Sequence, residues 1–278
     1  MPKIKKDNEW PGNRYDRIIS HIFFSHYQKP PSGFAFSREE FIEAATALGI
    51  SVPKNIGDVL YSFRFRAALP EKVASTAPSG KAWIIKLAGR GQYRFELVGM
   101  GAIIPNELLA ETRIPDATPG MIDMYALNDE QALLGKLHYN RLIDVFLGLA
   151  SYRLQSHLRT TVPKIGQVET DELYVGIDSK GIHYVIPIQA KGGNDRLSIV
   201  QVEQDLALCS NKFPSLRCIP IAAQFMKQNL IALFSFADTG EGVAVQQERH
   251  YRLVPPESMT PEEWESYRQK LMDAPEEN

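Results

Sequence analysis

Apolar residues in the first part of the chain recur at helical spacing. The segment 14–27 carries them three and four positions apart, which predicts an amphipathic helix. Ser37 and Glu40 form a capping-box pattern ahead of a second helix that ends at Gly49. A further apolar face over 55–66, after a proline, predicts a third helix. The chain is therefore expected to begin with three helices.

A β-hairpin is predicted next, over 81–98. Two runs rich in β-branched and aromatic residues are separated there by Gly-Arg-Gly-Gln at 89–92, which is typical of a hairpin with a basic tip. Three helices followed by a hairpin predict a winged-helix DNA-binding domain. Its candidate DNA-binding residues are Lys54, Asn55, Arg64, Arg66 and Arg90. For Arg64 and Arg66 the alternative is a solvated helix end, where cations complement the helix dipole.

The second half of the chain predicts a mixture of strands and helices. Residues 99–120 are rich in Pro, Gly and small residues, which predicts a connector without regular structure and a domain boundary near residue 100. A long helix is expected from Asn128, and an acidic helix over about the last twenty residues. Between them we expect strands at 151–162, 167–178 and 183–193, a helix at 198–213, and strands at 216–225 and 230–238. The expected fold class is α/β, with domains 1–100 and 101–278.

Composition and charge narrow the classes of protein. The apolar content of 44% and charged content of 23% are those of a folded globular chain. Residues 1–100 hold fifteen Lys and Arg against nine Asp and Glu, whereas the remainder has sixteen against twenty-four. A basic first part suits a polyanion, and an acidic second part suits a bound metal ion. We expect a cytoplasmic protein without a membrane span, with Cys209 and Cys218 as reduced, packed thiols.

Three polar residues in the second half are expected to converge. Gln189 and Lys191 are two positions apart in a predicted strand and so share one of its faces. A turn at Gly181 would fold the preceding strand back and bring Asp171 close to that pair. A carboxylate and an amide oxygen suit Mg²⁺, while an ammonium can orient the attacking water and offset negative charge. The alternative is an edge strand whose lysine discourages aggregation.

Asp171, seventeen intervening residues and then Gln189-Ala190-Lys191 resemble the signature of the PD-(D/E)XK nuclease superfamily. The Gln-Ala-Lys form is most similar to the Mrr-like restriction endonucleases. The resemblance implies a restriction-endonuclease-like mixed-sheet domain and Mg²⁺-dependent hydrolysis of DNA phosphodiesters. It also implies that Asp171 binds the metal, that Gln189 is a variant second ligand, that Lys191 is catalytic and that the Ala190 carbonyl is a further ligand.

A glutamine at position 189 leaves the metal site with one carboxylate fewer. Glu169 shares the Asp171 face of its strand and is the first candidate to replace that charge, while Glu172 would need a bulge to join the site. Gln201 and Gln204, on the helix that follows, are similar in placement to a helical glutamine of some relatives that contacts DNA or the active centre. Both could equally be exposed to water.

The hypothesis from the sequence is a restriction-type endonuclease that cuts double-stranded DNA with Mg²⁺, with sensitivity to base modification left open. Two-fold symmetry of duplex DNA favours a homodimer. Ser79-Gly80-Lys81 lacks the upstream glycine of a P-loop, so no nucleotide cofactor is expected. The six histidines, His157 among them, are assigned surface or packing roles, which disfavours an HNH nuclease. The alternatives are an inactive DNA-binding protein and a structure-specific repair or junction nuclease.

Overall fold

A computed structural model describes residues 11–29, 33–65, 67–99, 102–127, 130–163, 165–192, 197–226, 229–240 and 242–270. The first part combines four helices with a small sheet. In chain order its elements are α1 (Arg14–His26), β1 (Phe34–Ser37), α2 (Arg38–Ala47), α3 (Ile56–Phe65), α4 (Glu71–Ala74), β2 (Ala82–Gly89) and β3 (Gln92–Val98). The three predicted helices and the hairpin are confirmed to within a residue or two at each end.

Local capping explains where α2 begins. The Ser37 hydroxyl accepts a hydrogen bond from the Glu40 N–H at 3.2 Å, and the Glu40 carboxylate accepts one from the Ser37 N–H at 2.8 Å. Both groups would otherwise be orphan donors at the helix start. The predicted capping box is therefore confirmed.

A third strand joins the predicted hairpin. β1 pairs antiparallel with β3, so that the small sheet has the order β1–β3–β2. The sequence analysis did not find β1 because it is only four residues long and runs directly into α2. Its Phe36 side chain is buried with Phe23, Phe41 and Phe95 in one aromatic-rich core between the helices and the sheet. Burial of this core holds α1, α2 and α3 on one face of the sheet.

The second part is built on one large sheet. Its elements are β4 (Ala102–Ile103), β5 (Glu111–Pro115), α5 (Gly120–Tyr125), α6 (Glu130–Tyr139), α7 (Leu142–Leu147), β6 (Ala150–Val162), β7 (Gly166–Ile177), β8 (His183–Lys191), β9 (Leu197–Ser198), α8 (Ile199–Lys212), β10 (Arg217–Cys218), β11 (Ile221–Phe225), β12 (Leu230–Asp238), β13 (Val243–Val254) and α9 (Pro261–Lys270), with a 3₁₀ turn at Pro256–Ser258. Seven strands follow the order β5–β13–β12–β11–β8–β7–β6, and β10 pairs with β8. Parallel and antiparallel pairs both occur. The predicted α/β class is confirmed.

Three sequence predictions in this part are wrong in detail. The predicted structureless connector contains β5, which pairs in parallel with β13 and so belongs to the large sheet. The predicted single helix after Asn128 is two helices, because Arg141 adopts a left-handed φ of 51° between α6 and α7. The strand β13 was not predicted, since the four consecutive polar residues Gln246 to Arg249 interrupt its apolar pattern.

Helices cover both faces of the sheet around β8. Leu133, Leu134 and Leu137 of α6 pack with Ile186 and Ile188 on one face. Leu208 and Cys209 of α8 pack with Val185 and Leu173 on the other. β8 is therefore a central strand, buried on both sides, and the edge-strand alternative for Gln189 and Lys191 is wrong.

The two parts of the chain meet along α8. Phe65 and Ile84 from the first part pack against Ile199 and Val200 at the start of that helix. Next to them, Lys86 Nζ lies 2.9 Å from Glu96 and 2.8 Å from Glu203 of α8. The boundary predicted near residue 100 stays a prediction, although the hydrophobic cores on its two sides are separate.

Two further expectations concern the whole chain. No helix in the described ranges combines the length and the apolar character needed to cross a bilayer. Cys209 and Cys218 are both free, with Cys209 buried, as predicted.

The core of the first part provides a stability test. Leu60 is completely buried there, whereas Leu108 is 93% exposed in a turn of the second part. Leu60→Ala should lower the free energy of unfolding by about 2–5 kcal/mol, because it removes buried methyl groups and leaves a cavity. Leu108→Ala should change it by less than about 0.5 kcal/mol. Urea unfolding followed by circular dichroism measures both, and equal effects would contradict the described core.

Candidate active site

The site forms where β7 and β8 stop pairing. Their register runs from Ile177–His183 to Glu172–Ile188, and the remainder of β8 pairs with β11 instead. Gly181, with a φ of 78°, lies in the turn that makes the two strands antiparallel, as predicted. Beyond the last β7–β8 pair, hydrogen bonds from side chains replace the backbone hydrogen bonds between the two strands.

Asp171 lies in the gap between β7 and β8, beyond their last backbone pair. Its Oδ2 accepts a hydrogen bond from the Ala190 N–H at 2.8 Å. The N–H and C=O of one residue in an extended strand point to the same side, so the Ala190 carbonyl also points toward β7. The predicted approach of Asp171 to the Gln189–Lys191 strand is therefore confirmed, and a carboxylate and a carbonyl oxygen share one gap.

Lys191 is buried but paired. Only 8% of the residue is exposed, and its Nζ lies 3.0 Å from Oε1 of Glu130, the first residue of α6. An isolated buried ammonium would be costly, and the Glu130 carboxylate offsets that cost. The sequence analysis missed Glu130, because an acidic residue in the first turn of a helix is common and carries no specific signal.

The surroundings of Asp171 disfavour the ionised form of its carboxyl. Burial is the largest cause that raises the pKa of Asp171 above its ordinary value, and the nearby Glu130 raises it further. The Ala190 N–H and the charges of Lys191 and His157 oppose this rise without cancelling it. A cation bound next to Asp171 would therefore stabilise its ionised carboxylate.

The Gln189 side chain contacts both the helix α8 and the backbone of β7. Its Nε2 donates to both oxygens of Asp205, at 3.0 and 3.2 Å, and to the Glu169 carbonyl at 3.1 Å. Its Oε1 accepts from Gln201 Nε2 at 3.1 Å. Both ends of the carboxamide are thus engaged in a side chain that is 1% exposed. The role of Gln189 as a metal ligand stays a prediction.

Asp205 is a second residue that the sequence analysis missed. It is completely buried, and burial raises the pKa of its carboxyl well above the usual range, while the hydrogen bond from Gln189 acts in the opposite sense. A signal was available, because Gln201 and Asp205 are four positions apart on an otherwise apolar helix face. Of the two helical glutamines, Gln201 contacts Gln189, and both Gln201 and Gln204 are buried rather than exposed to water.

Glu169 and Glu172, the two acidic residues considered as alternative metal ligands, each pair with an arginine of β6. Glu169 pairs with Arg159 of β6, whose Nη2 lies 2.7 Å from Glu169 Oε2. Glu172 is buried and pairs with Arg153 of β6 at 3.0 Å. Glu130, which the sequence did not indicate, pairs with Lys191 and raises the pKa of Asp171, whereas the metal-ligand roles of Glu169 and Glu172 stay predictions.

The residues present fit a hard divalent cation. The carboxylates of Asp171 and Glu130 and the Ala190 carbonyl are oxygen donors of the type that Mg²⁺ prefers, and Mg²⁺ keeps several waters when few protein ligands are offered. No group of three or more His, Cys, Asp or Glu side chains suited to a metal occurs in the described ranges. A site of two carboxylates and water suits Mg²⁺ better than Zn²⁺, which takes three or four protein ligands.

The predicted DNA-binding residues divide into two groups. Lys54 and Asn55, just before α3, and Arg90, at the hairpin tip, are exposed. Arg64 was expected to be available to solvent, and this is wrong. Its guanidinium lies 4.5 Å over the Phe65 ring, its Nε and Nη2 are enclosed, and burial lowers its pKa. The apolar contact between α3 and α8 is the physical reason. Arg66 lies outside the described residues.

Comparison of the chain with protein-family models, with curated proteins and with solved structures found no match in any of the three.

The raised pKa of Asp205 predicts how stability depends on pH. Above about pH 4 the unfolded chain loses this proton while the folded chain retains it, so stability falls as the pH rises toward the folded-state pKa. Asp205→Asn removes that loss. The free energy of unfolding of the variant, relative to the unsubstituted chain, should therefore increase between pH 4 and pH 7. Urea titrations at several pH values measure it. Asp58→Asn, at an exposed aspartate, is the control, and its free energy of unfolding is compared with that of the unsubstituted chain in the same way. The same pH dependence for both variants would contradict the prediction.

Proposed function

We propose that the chain is a Mg²⁺-dependent endonuclease of the restriction type that hydrolyses phosphodiester bonds of duplex DNA. The observation that carries the proposal is the convergence of Asp171, Lys191 and Glu130 at the point where β7 and β8 separate. The combination of two carboxylates, a backbone carbonyl and a buried lysine is suited to phosphoryl transfer. It also agrees with the PD-(D/E)XK resemblance of the sequence.

Each residue would have a separate part in hydrolysis. Asp171, Glu130 and the Ala190 carbonyl would hold Mg²⁺, which, when bound, supplies an acidified water and charge neutralisation. The Lys191 ammonium would orient the attacking water by hydrogen bonding and offset the charge that develops on the phosphate oxygens. The water oxygen would form a new bond to phosphorus as the bond between phosphorus and the leaving oxygen breaks, and the leaving oxygen would take up a proton from solvent water while the attacking water loses one. The buried Gln189–Asp205 contact would keep β8 and α8 fixed behind these groups.

The first part of the chain would bind the DNA. Its order of helix, strand, three helices and a hairpin, with the sheet order β1–β3–β2, supports a winged-helix domain. Lys54, Asn55 and Arg90 are exposed and could contact phosphates or bases, whereas Arg64 is half-buried with its Nε and Nη2 enclosed and is the weaker candidate. Cutting both strands requires two centres, which a homodimer would supply.

One observation favours a second candidate, a DNA-binding protein without nuclease activity. The Gln189 carboxamide is enclosed by Asp205 and Gln201 rather than presented to the gap. Incubation of methylated, hydroxymethylated and unmodified duplexes with Mg²⁺ or Mn²⁺ separates the two candidates. Cleavage of any of these substrates supports the nuclease, and binding without cleavage of all three supports the second candidate. Competition with branched DNA tests for a structure-specific enzyme.

Lys191→Ala should abolish cleavage, with a loss of at least about 10³-fold, because it removes the group that orients water and offsets charge. Binding of duplex DNA in the absence of metal should change by less than about threefold. Single-turnover cleavage and a gel-shift titration measure the two effects. Lys180→Ala, an exposed lysine in the β7–β8 turn, is the matched control. Equal rates for both variants would refute the assigned role of Lys191.

Glu130→Gln should raise the Mg²⁺ concentration needed for half-maximal cleavage by roughly tenfold or more, since it removes one of two carboxylates from the metal site. A titration of cleavage rate against Mg²⁺ measures the shift. The exposed Glu107→Gln serves as the control. An unchanged midpoint would show that Glu130 only balances the charge of Lys191.

A further inference from the structure

His157 occupies the position on β6 that lies across from Asp171. The neighbouring register pairs are Ser156–Glu172 and Leu158–Thr170, so His157 is opposite Asp171 in the β6–β7 pair. The ring is close enough for its charge to lower the pKa of Asp171. His157 therefore lies beside the candidate site, although the sequence analysis assigned it a surface or packing role.

The backbone of His157 is in an unfavourable conformation. Its φ is 49°, in the left-handed region, which only two other non-glycine residues adopt in the described part of the chain, Arg141 and Asn229. A side chain in this region is strained, and such residues concentrate at functional sites. Nothing in the neighbouring pairs requires the strain, because β6 and β7 remain in register on both sides of it.

The Gln131 side chain contacts the imidazole of His157. Gln131 Nε2 and His157 Nε2 are 3.1 Å apart, and the residue before Gln131 is Glu130 of the candidate site. A carboxamide nitrogen is a donor only, so the imidazole Nε2 accepts and the ring hydrogen of neutral histidine is on Nδ1. The ring thus has a fixed tautomer and one N–H that is left to donate.

The edge of the sheet at β6 is open to a large ligand. β6 is the last strand of its sheet, and six consecutive residues from Tyr152 to His157 are exposed. Arg159, two positions further on, has a side chain that is 60% exposed while it pairs with Glu169. A DNA backbone that reaches Asp171 from this edge would meet His157 on the way.

We propose that His157 is a substrate-contacting residue that donates its Nδ1 hydrogen to a non-bridging oxygen of the DNA phosphate at or next to the scissile bond, with Gln131 as its positioning residue. This inference rests on the proposed nuclease function. An N–H donor suits this position, because it binds a phosphate oxygen without competing for the metal as a further ligand.

The test uses His157→Asn, since asparagine tolerates a left-handed backbone and the variant therefore loses the ring without added strain. Its single-turnover cleavage should slow by roughly 10- to 100-fold, as expected for the loss of a hydrogen bond to a charged group. His183→Asn, an exposed histidine at the start of β8, is the matched control and should cleave normally. Thermal unfolding of both variants checks that the fold is kept. His157→Gly, which removes ring and strain together, should cleave as slowly as His157→Asn.

Methylphosphonate substrates identify the contact itself. Replacement of the contacted oxygen by a methyl group should slow the unsubstituted chain and have a much smaller additional effect on His157→Asn, whereas the other methylphosphonate positions should affect both proteins equally. Equal additional slowing of both proteins at every position, or normal cleavage by His157→Asn, would overturn the role of His157 alone. Absence of cleavage by the unsubstituted chain under all metal conditions would overturn the proposed function and this inference together.

Discussion

The arrangement of the candidate site depends on the hydrogen bond from the Ala190 N–H to the Asp171 carboxylate, 2.8 Å long, at the end of the β7–β8 ladder. Where the strands separate, each exposed backbone group needs a new partner, because an unpaired buried N–H is costly. Asp171 satisfies one of them, and the Gln189 carboxamide satisfies the Glu169 carbonyl. The separation thus places the Asp171 carboxylate beside the Ala190 backbone while the Ala190 N–H and the Glu169 carbonyl keep hydrogen-bond partners. A fully paired ladder would have left no space for an ion or a phosphate.

Buried charge is the second constraint on this region. Asp205 and Lys191 are buried and Asp171 is half-buried, and burial raises the pKa of both aspartates. Lys191 is stabilised by Glu130, which is itself partly exposed and so connects the buried pair to solvent. The fold retains this costly group of charges instead of replacing it with apolar side chains, which is typical of functional sites. A bound divalent cation would stabilise the ionised form of Asp171, which burial disfavours.

The helix α8 connects the two parts of the chain with the site. Its first turn packs on Phe65 and Ile84, and Glu203 pairs with Lys86 of β2. The inner face of the same helix carries Asp205, which holds Gln189. One rigid element therefore contacts both the candidate DNA-binding domain and the candidate catalytic strand. The Arg64 guanidinium lies over the ring of Phe65, one of the residues in this packing.

Periodicity and local chemistry in the sequence determined most of the elements: the capping box at Ser37, the hairpin tip at Arg90, the strands that carry Asp171 and Lys191, and the antiparallel turn at Gly181. These depend on neighbouring residues, so the sequence alone contains the information. Only the tertiary structure decided that β5 and β13 join the large sheet, that Arg64 is half-buried, and that Glu130 and His157 lie beside Asp171. Those contacts join residues far apart in the chain, and their energies come from burial and charge that no local pattern specifies. The common physical reason is that periodicity, caps and turns depend on residues close together in the sequence. The partner of a buried charge depends on how distant segments pack.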